Sequence, residues 1–167
     1  MKIKETISID APAAKVWDVL WKDYGRVCDW ASTVNHSEKR EVANTLEGGR
    51  SCHSTWGEIS EIIEKVDEHN MTYTYYADGL PVMMKSARNT WKVHKRGVNT
   101  SEVSIDLEIE LATIPKALMS WMIVPKLKKD IIQTMVDLRY FIETGKQTAA
   151  KLKSDVKYFK KHPLKTI

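Results

Sequence analysis

Eleven consecutive residues, Ser101–Leu111, alternate without a fault. Val103, Ile105, Leu107, Ile109 and Leu111 fall on one side, and Ser104, Asp106, Glu108 and Glu110 on the other. A period of two with one apolar and one charged face defines a β-strand that is wet on one side and covered on the other. Such a strand needs hydrogen-bonded neighbours, and its sheet needs a lid. Lys2–Ile9 alternates likewise, with Ile3, Glu5, Ile7 and Ile9 on one face. Further alternating stretches occupy 34–42, 50–57, 58–66, 71–76 and 85–95. Glu47-Gly48-Gly49-Arg50, Asp67-Glu68-His69-Asn70, Asp78-Gly79-Leu80-Pro81 and Arg96-Gly97-Val98-Asn99 are turn-forming words between them. Strands joined by short turns predict an antiparallel meander.

The lid comes from the C-terminal third. A helix over about 115–144 carries the apolar stripe Leu118, Trp121, Met122, Pro125, Ile131, Ile132, Met135, Leu138, Phe141 and Ile142. Pro125 predicts a kink or a split, because proline removes one backbone bond and clashes with the preceding turn. Gly145 is a natural stop. Two short helices are expected after the first strand. The first starts at Asp10-Ala11-Pro12, with Asp10 or a neighbour as cap, and bears Val16, Trp17, Val19 and Leu20; the second lies near 24–30. The fold class is therefore α+β: a curved seven-stranded antiparallel sheet wrapped around one long helix. One helix cannot fill the concave side of such a sheet, so an internal cavity is expected.

Composition narrows the function classes. The chain of 167 residues suits one domain, and apolar residues at 43% with charged residues at 29% are ordinary for a globular protein. No apolar run is long enough to span a bilayer. The N-terminus lacks the apolar stretch of an export signal, which predicts a cytoplasmic location. Cys28 and Cys52 form no metal or redox spacing and are expected as free thiols. No phosphate-binding loop, dinucleotide motif or nucleophile elbow occurs. The five histidines have no ligand spacing, so neither metal nor cofactor is expected. Charge is uneven: residues 112–167 carry twelve Lys/Arg against four Asp/Glu, the rest fourteen against eighteen. The division expected is a ligand-binding domain over 1–146 and a basic, partly helical extension over 147–167.

The order of these elements, with its local words, resembles the polyketide cyclase/dehydrase-like branch of the START-related superfamily, which includes the birch-pollen-allergen-like proteins. The words are Ile7-Ser8-Ile9-Asp10-Ala11-Pro12 followed by Val16-Trp17, then Trp30, Glu47-Gly48-Gly49-Arg50, Gly57-Glu58-Ile59 with Glu61, Thr72-Tyr73 leading to Leu80-Pro81-Val82, and Trp91-Lys92-Val93. The resemblance implies a helix-grip fold whose pocket takes lipids, sterols, hormones or polyketides. Some members catalyse cyclisation or dehydration, and no universal catalytic signature carries over.

Strand parity selects the candidate site. Glu5 and Glu61 lie on apolar faces, where an unpaired carboxylate is either a general acid/base or an anchor for a polar ligand group. Glu61 is the catalytic candidate, provided no bulge precedes it and no cation pairs with it. The expected cavity wall is Glu5, Ile59, Glu61, Tyr73, Tyr75, Asn89, Trp91, Ile105, Leu107, Leu118, Trp121 and Met122. The favoured function is non-enzymatic binding, for transport or sequestration, of a small hydrophobic or amphipathic molecule. The alternatives are a cyclase or dehydratase using Glu61, and an interaction module docking through the basic C-terminal end. No nucleic-acid partner is expected, whereas peripheral contact with anionic lipid is open to that end.

Overall fold

A computed structural model describes residues 1–45, 47–112 and 116–163, with the backbone alone at 116–120. Seven strands form one antiparallel sheet: β1 (Lys2–Ile9), β2 (Val34–Arg40), β3 (Gly49–Ser54), β4 (Gly57–Asp67), β5 (Thr72–Asp78), β6 (Met84–Lys95) and β7 (Ser101–Leu111). The spatial order is β1-β7-β6-β5-β4-β3-β2. β2 to β7 are thus a plain meander, and β1 returns to pair with β7, Ile3 opposite Leu107 and Ile7 opposite Val103. α1 (Ala13–Trp17) continues as a π-helical turn, Asp18–Lys22, and a 3-10 turn, Tyr24–Asp29. α2 (Lys116–Thr144) covers the concave face, and α3 (Ala149–Lys161) follows. This is the α+β helix-grip arrangement.

The inward face alternates as the sequence demands. Val103, Ile105, Leu107 and Ile109 of β7 are buried, as are Trp91 and Val93 of β6 and Tyr73 and Tyr75 of β5. They meet Leu127, Ile131, Met135, Leu138 and Ile142, one buried stripe along α2. That stripe differs from the expected one at its N-terminal end. Trp121 and Met122 are 67% and 56% exposed, and Ile132 is exposed as well. Spacing explains the shift: 127, 131, 135, 138 and 142 keep to one face, whereas 121, 122 and 132 fall off it.

α2 runs unbroken through Pro125, so the expected split does not occur. The helix ends at Gly145, whose φ of +69° only glycine adopts freely and whose N–H donates to Phe141 O at 2.8 Å. At the start of α1 no side chain caps the helix; instead Val16 N–H reaches Pro12 O. The Asp10 N–H donates to Glu143 of α2 at 2.9 Å. The largest correction in the strands is a tight hairpin: Thr55-Trp56 separates β3 from β4, where the sequence reads as nearly continuous.

Asp137 ties the layers together. It is fully buried and accepts from Ser32 N at 2.8 Å, Gln133 Nε2 at 2.9 Å and Thr148 Oγ1 at 2.6 Å. One carboxylate thus joins α2 to the segment before β2 and to the cap of α3. In this packing Leu138→Ala should cost about 2–5 kcal/mol, because Leu138 is fully buried under the sheet. Urea unfolding checks this: the midpoint should fall with the slope unchanged.

Candidate functional site

The space that α2 leaves under the sheet is a cavity of about 170 Å³. Its floor is Ile59, Tyr75, Ala77, Ala87, Trp91, Ile105, Leu107 and Ile109, and its roof is Leu127, Ile131 and Thr134 of α2. A site of about 150 Å³ admits benzene, while drug-sized sites run to about 300–1,000 Å³. This cavity therefore has room for one ring with short substituents. Larger depressions lie on the surface, such as that between Lys65, Asp67, Asn70, Thr72, Thr74 and Lys92, whose wall is polar and charged.

Of the residues expected in the wall, Ile59, Glu61, Tyr75, Asn89, Trp91, Ile105 and Leu107 line the cavity. Four others do not contribute, and the side chain of Leu118 lies outside the described residues. Trp121 and Met122 point to solvent. Glu5 sits at the edge of the sheet, paired with Lys128 of α2 at 3.1 Å. Tyr73 is buried in an aromatic cluster with Trp17, Trp21, Tyr24 and Tyr75, their ring centroids 5.5–6.3 Å apart where they meet. That cluster meets the cavity through Tyr75 alone.

Glu61 faces inward, because the bulge of β4 falls after it, between Ile63 and Lys65. It is not alone. Arg50 Nη2 lies 2.6 Å from Glu61 Oε2, and the Tyr24 hydroxyl donates to the same oxygen at 3.0 Å. Arg50 Nη1 donates to Tyr24 O at 2.7 Å, and the guanidinium sits 4.0 Å from the centre of the Tyr24 ring. Both charged side chains are 6% exposed. Burial is the largest single influence and works against the Arg50 charge, but Glu61, together with Tyr24, Cys52 and Tyr75, outweighs it and holds that pKa well above the usual value. Burial, followed by the nearby Glu61, pushes the Tyr24 hydroxyl well up. The same two causes raise the Cys52 thiol to about 12.

Sequence reasoning passed over Arg50 and Tyr24. Arg50 was legible: it shares strand parity with Cys52 and Ser54, and a two-residue hairpin at Thr55-Trp56 puts it opposite Glu61, as the register has it. Gly49 lets the strands meet this closely, since a Cβ there would lie 2.1 Å from Glu61 O.

Beyond the ion pair, part of the polar lining is without a partner. Asn89 Nδ2 donates to the Tyr75 hydroxyl at 3.0 Å, but Asn89 Oδ1 has no partner among the described residues. Neither has Trp91 Nε1, which lies beside the Tyr75 hydroxyl without a well-formed bond, nor Arg50 Nε. Buried polar atoms are nearly always paired, so an acceptor and two donors without a geometric partner on residues that line one cavity stand out.

At the far side the wall is fastened rather than packed. Trp56 Nε1 donates to Asp130 Oδ2 at 2.9 Å, Lys126 Nζ meets the same oxygen at 2.9 Å, and Lys126 lies 3.5 Å from the centre of the Trp56 ring. This clasp joins the β3–β4 turn to α2, and Trp56 and Asp130 both line the cavity. Among the described residues no group of three or more His, Cys, Asp or Glu could hold a metal ion. No helix among them is long and apolar enough to cross a membrane.

A sheet gripping a helix over a mostly apolar cavity defines the START-like class of helix-grip proteins. Within it, the chain belongs to the family described as polyketide cyclase / dehydrase and lipid transport, whose model matches residues 1–139. Among solved structures, the aromatase/cyclase di-domain BexL of the BE-7585A biosynthetic pathway superposes with a TM-score of 0.73 at 12% identity, over 86% of this chain and 46% of that one. XoxI from Bacillus cereus gives 0.68 at 17% identity, over 84% and 94%. A START superfamily protein from Mycobacterium smegmatis gives 0.63 at 8% identity, over 80% and 93%. At such identities the likeness is one of fold. No curated protein matches significantly.

Two outcomes are expected of this site. Glu61→Gln leaves a buried guanidinium unanswered and should destabilise the protein by about 3–5 kcal/mol in urea unfolding. Cys52, 3% exposed with its thiol raised to about 12, should resist iodoacetamide in the folded protein and react once denatured.

Proposed function

We propose that the protein binds a small, uncharged, hydrophobic or amphipathic molecule in the cavity under α2, as a carrier or sequestering protein. The observation that carries this reading is the open set of Asn89 Oδ1, Trp91 Nε1 and Arg50 Nε on an otherwise apolar wall. Apolar burial supplies the affinity at about 25 cal/mol per Å². A ligand hydroxyl or carbonyl meets the open atoms and fixes orientation. The Arg50 charge is already answered by Glu61 at 2.6 Å, so a carboxylate entering the cavity gains no free cation. The family's description, which joins cyclase and lipid-transport activities, is consistent with a ligand of this kind.

The rival reading is a cyclase or dehydratase with Glu61 as acid or base, and BexL supplies the analogy. That role asks for a carboxylate free to exchange a proton with substrate. Here Arg50 and Tyr24 converge on one oxygen of Glu61, which favours a structural anchor.

Native mass spectrometry of protein taken directly from cells, followed by denaturation and extraction, tests the reading. A discrete bound mass recovered in the extract is expected. With an identified neutral ligand at about 100-fold over Kd, stability should rise by about 2.7 kcal/mol, while its carboxylate analogue should leave the melting temperature unchanged. Trp91→Phe keeps the ring but removes the donor, and should weaken a hydroxylated ligand about fivefold, the worth of one hydrogen bond. If Trp91→Phe and Asn89→Leu both bind as tightly as the native protein, the polar end is misassigned.

A further inference from the structure

α3 is turned inside out. A surface helix of a globular protein ordinarily presents its apolar stripe to the core. In α3 the stripe Leu152, Val156 and Phe159 is 53%, 58% and 44% exposed, while Lys151 is fully buried. Polar anchors hold the inner face. Lys151 Nζ donates to Val34 O at 2.8 Å and pairs with Asp155 at 2.6 Å. Asn35 Nδ2 donates to Ser154 at 2.9 Å and to Asp155 at 3.0 Å. Thr148 caps the helix by accepting from Lys151 N and also donates to Asp137. Burying a lysine costs far more than burying a leucine, so this orientation is held by specific bonds and is not the outcome of simple hydrophobic packing.

The outer face is greasy and cationic together. Lys153, Lys157 and Lys160 lie along one flank of the apolar stripe, and all three are exposed. Asp155, the single acidic residue of the helix, faces inward and is spent on Lys151 and Asn35. An apolar stripe bordered by lysines is the surface of a helix that lies in a membrane interface, its hydrocarbon side chains among the acyl chains and its ammonium groups on anionic headgroups. We propose that α3 docks the protein on an anionic lipid bilayer through Leu152, Val156 and Phe159, with Lys153, Lys157 and Lys160 on the headgroups. The charge decides between occupants. A second copy of the chain would set like charges against each other, and a nucleic acid offers no apolar layer for the stripe. The inference is independent of what fills the cavity.

Co-sedimentation of the full chain with vesicles tests it, using phosphatidylcholine alone and phosphatidylcholine mixed with phosphatidylserine. Point variants serve better than truncation, because removing α3 would uncover Val34 and Asn35. Binding to the mixed vesicles, weak binding to phosphatidylcholine alone and release by salt are expected. Lys153→Gln, Lys157→Gln and Lys160→Gln should each weaken binding about fivefold. Leu152→Ser with Phe159→Ser should weaken it at least as much with every lysine in place. All five positions are exposed, so thermal melting should not change. Failure to bind mixed vesicles overturns the proposal. So does binding that ignores the two serine substitutions. Sedimentation velocity supplies the remaining arm: a dimer dissolved by the same serine substitutions would assign the stripe to self-association and overturn lipid docking.

Discussion

The concave face of a seven-stranded sheet presents more apolar surface than one helix can cover, and the rest of the molecule follows from that mismatch. β5, β6 and β7 offer a continuous inward layer from Tyr73 to Ile109. α2 meets it with one stripe, Leu127 to Ile142. The two ends of the remaining space are treated differently. Near α1 the gap is filled with rings, Trp17, Trp21, Tyr24, Tyr73 and Tyr75. Toward the β3–β4 turn it is left open. The filled end gives rigidity, and the open end is where chemistry is available.

Two charges sit between these ends. Burying an ion pair seldom adds stability over an apolar pair of the same size, so Arg50 and Glu61 are better understood through what they organise. Together they bridge β3 to β4 and, through Tyr24, fasten the strands to the segment after α1. The pair cancels its own two charges, and Asp130, the third ionic side chain of the wall, is answered by Lys126. A molecule entering meets dipoles, the Asn89 carbonyl and the Trp91 N–H, rather than a net charge.

Much of this was legible in the chain itself. Strand parity placed Tyr75, Asn89, Trp91, Ile105 and Leu107 on the inner face, because the one irregularity in β5 to β7, between Met84 and Ser86, precedes Asn89 and Trp91 and leaves their alternation intact. It placed Glu61 there too, since the bulge comes after it. What parity does not carry is pairing across strands. Parity puts Arg50 on the inner face with Cys52 and Ser54, but its partner on β4 has an address only once the hairpin at Thr55-Trp56 is recognised. Tyr24 reaches Glu61 from an irregular π and 3-10 segment, for which no periodic rule exists. Trp121 and Met122 failed for another reason: large apolar residues on a helix look like core, although their spacing sets them off the face that carries Leu127, Ile131, Met135, Leu138 and Ile142. The reversed face of α3 is invisible for the same reason, since its stripe alone would be read as buried.

The clasp of Trp56, Asp130 and Lys126 has a kinetic meaning. It crosses the cavity's open side by joining a two-residue turn to a rigid helix, and Asp130 holds both the indole and the ammonium with one oxygen. If the cavity exchanges its occupant on that side, all three groups would part together, although none of them need contribute to holding a molecule once inside. Under the proposed function, occupancy at equilibrium would rest on Asn89 and Trp91, and the pace of exchange on the Trp56–Asp130–Lys126 contacts, which can change without altering what is held.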